Sequence, residues 1–172
     1  TIAHAPLLEH AMASGAALSP ARTVVVAGHG ADLVSAAATA FDEEAHVVVQ
    51  PEQLGTAHAV GQAREALQGF DGTAIVLYGD TPFVRTETLE EMCAALTHND
   101  VVVLGFEAAD PARYGRLIMQ GNTLDRIVEF KDATDEQRAI TLCNSGVIAC
   151  NSNLLFDLID AVGNDNASEE YY

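Results

Sequence analysis

Basic side chains are scarce in this sequence. Eight Lys and Arg stand against 25 Asp and Glu, a formal net charge of −17. Neutralising a nucleic-acid backbone takes clustered basic residues, so this balance argues against nucleic acid as the main partner. It reads as a solubilising acidic surface. A polyanionic small ligand would then need cations from elsewhere, most simply Mg2+. Tryptophan is absent. The three cysteines, Cys93, Cys143 and Cys150, are odd in number and lack metal-ligand spacing. They read as reduced, buried thiols of a cytosolic protein. The six histidines form no H-E-x-x-H motif and no i, i+4 pair, which argues against a histidine zinc site. No apolar run approaches the roughly 20 residues that span a bilayer. No charged-then-apolar leader opens the chain, so nothing points to secretion or a membrane.

What is present is the composition of a soluble globular protein. Hydrophobic residues make up 49% of the 172, with Ala and Val prominent. That length suits one domain with a real core. No internal repeat or low-complexity linker divides it, so residues 1–172 read as a single unit.

The chain is organised around Thr73–Pro82, TAIVLYGDTP. A short apolar run bounded by turn signals predicts a buried strand, and Pro82 ends the ladder. Ligands of open α/β sheets bind beyond the carboxyl ends of strands, which is where Asp80 lies. Taken alone, the stretch fits a turn-capping Asp better than a ligand-holding one.

Around it, apolar runs and helical periodicities alternate. Pro6 opens a helix over PLLEHAMASGA, with no strand pattern before it. Strands are predicted at Arg22–Ala27, His46–Gln50 and Asp100–Glu107, and a helix at Ala31–Phe41. Gly28-His29-Gly30 reads as a turn, because a dinucleotide fingerprint would want a third glycine where Leu33 stands. Pro51–Thr56 is a loop, with Thr56 as predicted N-cap of a helix over Ala57–Leu67. The helix start offers N–H groups to a ligand. Gln50 and Gln53 offer the donors and acceptors that a pyrimidine edge requires. An ordinary strand-to-helix connection would look the same. Thr88 and Glu91 have capping-box spacing for a helix over Thr86–Thr97, and Thr134 and Gln137 for a short helix. Gln120-Gly121-Asn122 predicts a hairpin turn between RLIM and TLDRIVEF, hence a mixed sheet with an antiparallel margin. Ile140–Ala149 reads as a strand interrupted at Asn144-Ser145-Gly146, and Asn151–Val162 as a last helix. Asn144 with Gly146 also fits a β-bulge.

Six segments occur in order: VVVQPEQLGTAHAV (47–60), VLYGDTPFV (76–84), YGRLI (114–118), RIVEFKDATDEQR (126–138), NSGVIA (144–149) and NDNASEEYY (164–172). Together they resemble the uridylyltransferase domain of bacterial bifunctional N-acetylglucosamine-1-phosphate uridylyltransferases, over almost the whole chain. The resemblance implies a Rossmann-like nucleotidyltransferase fold with a mixed, mostly parallel sheet and a β-hairpin. It implies a reaction of UTP with N-acetylglucosamine 1-phosphate giving UDP-N-acetylglucosamine and pyrophosphate, with Mg2+, in the cytoplasm, for cell-wall synthesis. By matching motifs, Gln50, Gly55 and Thr56 would hold the uridine end. Tyr78, Gly79 and Asp80 would lie between nucleotide and sugar, with Asp80 a metal ligand. Gly115, Glu129 and Asn144 would line the sugar pocket. The family's glycine-rich loop, L-A-A-G-x-G-T-R-M followed by a lysine, has no counterpart in this sequence, nor has the β-helix acetyltransferase domain through which members trimerise. The expectation is therefore a first strand and phosphate-binding Arg and Lys missing from this stretch, with negligible turnover by these residues alone.

Overall fold

The computed structural model describes residues 5–166 and 169–171. Residues 1–4, read above as lacking a strand pattern, and residues 167, 168 and 172 of the closing motif lie outside it. Helix α1 (Leu7–Ala16) starts directly after Pro6, which has no N–H to leave unsatisfied. Strand β1 (Val24–Ala27), helix α2 (Ala31–Phe41) and strand β2 (His46–Val49) form a βαβ unit whose strands pair in parallel from Val24↔His46 to Ala27↔Val49. Met12, Val25 and Ala38 are its buried centre, with Leu8, Val34, Ala45 and Val47 packed on them.

The second sheet contains β3 (Thr73–Val76), β4 (Val101–Glu107), β5 (Arg116–Gln120), β6 (Thr123–Val128) and β7 (Leu142–Asn151). Helices α3 (Thr56–Gly61), α4 (Thr86–Ala95), α5 (Asp135–Arg138) and α6 (Ser152–Ala161) complete the described elements. Leu89 and Met92 of α4 bury against Val147 and Ala149 of β7, joined by Ile75, Leu77 and Leu104. Full burial of side chains of this size contributes about 1.5–3 kcal/mol each.

The sheet differs from the expected mostly parallel one in a specific way. β3 and β4 point in the same direction, as successive βα units do, but β7 runs back between them and pairs antiparallel with both. The parallel ladder among the described residues is β1–β2, and the larger sheet is antiparallel at every described pairing. The β5–β6 hairpin forms as predicted, closing at Gln120↔Thr123 around Gly121 at φ 63°.

β7 is continuous rather than broken, but it bulges where the interruption was read. Gly105 pairs with Asn144 and Val103 with Ile148, so Ser145, Gly146 and Val147 face Leu104 alone. The displaced groups find side-chain partners. Ser145 Oγ donates to the Leu104 carbonyl at 2.7 Å and accepts from Val147 N–H at 3.2 Å, and Asn144 Oδ1 accepts from Gly146 N–H at 2.9 Å. A bulge of this kind bends a strand and re-aims its side chains.

Capping was read correctly once and wrongly twice. The Thr134–Gln137 box is present in both directions. Thr88 and Glu91 form none, because α4 starts at Thr86 with Arg85 as its cap residue and no side-chain cap bond. Thr56 is the first helical residue of α3, not its cap, and Gly55 precedes it at φ 110°. That helix also ends at Gly61, after which the bonds Ala63 N–H to Val60 O and Arg64 N–H to Gly61 O span three residues, tight turns rather than α-helix. Among the described residues, no helix is long and apolar enough to cross a membrane.

Candidate functional site

The structure brings most of the expected site residues into one unbroken line of contacts. It begins at Gln50, 7% exposed just past β2. Its Nε2 donates to the Gly55 carbonyl at 3.3 Å and lies 2.9 Å from His58 Nδ1. Gly55 is bare for a reason: a Cβ there would collide with the backbone of Tyr171. Tyr171 lies across this loop, its N–H donating to Leu54 O at 2.8 Å and its carbonyl accepting from Ala57 N–H at 3.0 Å. The expectation that the start of α3 presents open N–H groups fails at Ala57, whose N–H is taken by Tyr171.

Thr56, relieved of capping, uses its hydroxyl otherwise. Tyr78 O–H donates to Thr56 Oγ1 at 3.1 Å. The Tyr78 ring packs on Gly146, where an added Cβ would stand 2.6 Å from the ring. Burial raises the Tyr78 phenol above its ordinary 10.0; the Thr56 bond opposes the rise, and the carboxylates of Glu129 and Asp80 add to it. Tyr78 is therefore a neutral donor through the physiological range. Beyond it, Gly79 and Asp80 are exposed at the turn, and a Cβ on Gly79 would stand 3.6 Å from Leu8 of α1. The turn is closed by backbone, Thr81 N–H to Tyr78 O at 3.1 Å. Among the described residues Asp80 makes no hydrogen bond or ion pair, so the turn-capping reading has no contact behind it.

The line continues through the bulge. Asn144 Oδ1 is committed to Gly146, which leaves its NH2 group to donate outward. Asn144 N–H donates to the Gly115 carbonyl at 2.8 Å. Gly115 in turn faces Glu129, whose Oε1 lies 2.7 Å from where a Cβ would be. Arg116, 1% exposed, holds this end together. Its guanidinium donates to the carbonyls of Pro111, Ala112, Tyr114 and Arg138, pinning the loop before β5 to α5. Carbonyl contacts of this number offset the cost of burying its charge.

Glu129 is half-buried, and burial raises its carboxyl above the ordinary value of 4.5. The Asp132 carboxylate reinforces the rise and Arg116 opposes it. The folded protein thus holds this proton more tightly than the unfolded chain. The associated stability is full in acid and is lost as pH rises through the raised value. Glu129→Gln carries no such loss. Its thermal midpoint should exceed that of the unaltered protein at about pH 8 and converge on it at about pH 3, below the ordinary carboxyl range. Melts followed by circular dichroism check this; an equal offset at both values would mean that Glu129 titrates alike folded and unfolded.

Among the described residues no group of three or more His, Cys, Asp or Glu is gathered to hold a metal. Asp80 alone suits a hard cation that keeps its waters and takes substrate phosphates as further ligands, the habit of Mg2+. The cysteines are free, and burial raises the thiols of Cys143 and Cys150, consistent with inert core positions. Sequence reading missed His58, Arg116 and Gly146. Gly146 was visible as a bulge signal, but nothing local in sequence foretold that Tyr78 would pack on it.

Comparison with known proteins bears on the family and the fold. The chain is 68% identical over 171 residues to the Bifunctional protein GlmU of Ruegeria pomeroyi, covering 99% of this chain and 38% of that protein. It is 53% identical over 167 residues to its namesake in Paracoccus denitrificans, covering 97% and 37%. The chain thus spans well under half the length of these relatives. Among solved structures, apo UDP-glucose pyrophosphorylase superposes with a TM-score of 0.72 at 15% identity, over 96% of this chain and 71% of that one. HddC from Yersinia pseudotuberculosis gives 0.67 at 21%, over 87% and 64%. These likenesses establish the Rossmann-like nucleotidyltransferase fold. A family model described as the MobA-like NTP transferase domain matches residues 1–146, and the chain belongs to that family.

Proposed function

We propose that the protein at its natural length transfers a uridylyl group from UTP to N-acetylglucosamine 1-phosphate, giving UDP-N-acetylglucosamine and pyrophosphate. The observation that carries this reading is the continuous line Gln50–Gly55–Thr56–Tyr78–Gly146–Asn144–Gly115–Glu129, in which residues matched by motif are neighbours in space, joined through Gly146. High identity to proteins named Bifunctional protein GlmU supports it.

The chemistry is the attack of a sugar-phosphate oxygen on the α-phosphorus of UTP, with the bond to pyrophosphate breaking in line. Such transfers depend on positioning and charge neutralisation. Gln50 and the Gly55–Thr56 loop orient the base. Tyr78 stands between the two substrates as a neutral wall, anchored by Thr56. Glu129 accepts from sugar hydroxyls, Asn144 donates to the sugar, and the bare Gly115 and Gly79 let substrate approach the backbone. Mg2+, held by Asp80, would neutralise phosphate charge when bound. Cytoplasmic location, a role in cell-wall precursor supply and trimerisation through a further domain belong to the same proposal.

The test is turnover by the natural-length protein with Mg2+, following pyrophosphate release and sugar-nucleotide mass. UTP with N-acetylglucosamine 1-phosphate should be the best pair. Faster turnover with glucose 1-phosphate, or with CTP, GTP or dTTP, would assign another substrate and overturn the proposal.

A further inference from the structure

We infer that Phe83 is a positioning residue for the cation at Asp80: its left-handed backbone and its ring against His10 fasten the far arm of the Asp80 turn to helix α1. This rests on the uridylyl-transfer reading above and adds what holds the cation-bearing carboxylate in place.

The turn is a short excursion between two anchored points. Leu77 before it and Val84 after it both pack against the core of Leu89, Met92, Val147 and Ala149. The near arm is tied down by the Tyr78 hydroxyl on Thr56. The far arm, Thr81-Pro82-Phe83, has fewer ties. Thr81 N–H donates to Tyr78 O at 3.1 Å, a bond that closes the turn without joining it to another element. Among the described residues the side chains of Asp80 and Thr81 make no hydrogen bond or ion pair. Pro82 has no N–H to offer. A side-chain tie to another element comes from Phe83, whose ring centroid lies 5.1 Å from that of His10 in α1, with the planes at 47°. That separation is within the range of favourable aromatic pairs.

The Phe83 backbone is strained to reach this contact. Its φ is 71°, a region that disfavours any residue with a Cβ and that bulky side chains rarely enter. Glycine or asparagine would make the same bend with less strain. Core packing does not account for the ring either, since Phe83 is 60% exposed. Strain kept where neither the bend nor the core requires it belongs with function. The functional group at hand is the carboxylate of Asp80, three residues earlier in the same turn. A cation ligand must be held to within about 0.5 Å to serve phosphate chemistry. With the ring removed, the far arm swings on its two ends and Asp80 moves with it.

The experiment uses the natural-length protein and two readouts. The first is the free Mg2+ concentration that gives half-maximal turnover of UTP with N-acetylglucosamine 1-phosphate. The second, taken without metal, is hydrogen exchange of the Thr81 amide. Phe83→Asn keeps the bend and removes the ring. It should raise the Mg2+ requirement by roughly 5-fold and speed Thr81 exchange by a similar factor, the worth of one aromatic pair. Its thermal midpoint should stay within about 2 °C of the unaltered protein, because the ring is largely exposed. His10→Ala should give the same two changes, and the double variant should be no worse than either single one. Phe83→Tyr, which keeps the ring, should bring both readouts back. Either readout unchanged in Phe83→Asn overturns the inference and leaves the uridylyl-transfer reading intact. Additive effects of the two substitutions overturn it too, because the rings would then act separately. A lowered midpoint with an unchanged Mg2+ requirement marks a packing role and also overturns it. No turnover by the unaltered protein at any Mg2+ concentration defeats the functional reading, and this inference with it.

Discussion

Asp80→Ala in the natural-length protein is expected to lower kcat by about 100-fold or more while moving the thermal midpoint by no more than about 1–2 °C. The two halves of this prediction have separate causes. Asp80 is exposed, its turn is closed by the Thr81 N–H to Tyr78 O bond, and among the described residues it makes no hydrogen bond or ion pair. Exposed substitutions away from caps and networks typically shift stability by about 0.5 kcal/mol or less. Holding a divalent cation against phosphate oxygens contributes several kcal/mol to a transition state, and a factor of 100 is about 2.7 kcal/mol. Asp80→Asn should fall between the two, keeping an oxygen ligand but losing its charge. The measurement is kcat against Mg2+ concentration together with a melt. A variant that melts early and turns over normally would show that the residue is structural.

Gly146→Ala should cost about 3 kcal/mol of stability, roughly 6–12 °C in thermal midpoint. Gly146 sits at φ 84° within β7, and an added methyl would meet the Tyr78 ring at 2.6 Å. The cost has two parts. Left-handed backbone alone costs a non-glycine residue about 1–2 kcal/mol. The rest comes from pushing aside a ring tethered to Thr56 and packed over a strand whose neighbouring Val147 is fully buried. Gly30→Ala separates these parts. Gly30 has φ 70° and nothing within 4 Å of the new methyl, so it should show the backbone cost by itself. Because Tyr78 moves, Gly146→Ala should also raise KM for both substrates. Equal losses in the two variants would mean that the ring yields freely and that the bulge is not what places Tyr78.

Much of the fold was legible because it is written in short-range patterns. HVVV and TAIV are apolar runs of strand length, Ala31–Phe41 carries helical periodicity, and Gly121 supplies the positive φ of a two-residue turn. The Thr134–Gln137 box spans four residues and needs nothing from elsewhere. The local rule misled where a distant group competed. Thr56 looked like a cap until Tyr78, 22 residues on, took its hydroxyl. Ala57 looked open until Tyr171 supplied a carbonyl.

The sequence by itself determined the element types, the chemical character of each site residue and, through ordered motifs, the family. Only the tertiary structure decided that β7 returns between β3 and β4, that its bulge seats Tyr78, that Arg116 is a buried clamp, and that His58 stands beside Gln50. The division follows from range. Backbone propensity and turn chemistry act over a few residues and leave a trace in each window of sequence. Strand order, burial of a charge and the facing of an amide depend on groups tens of residues apart, whose meeting is settled only when the core closes.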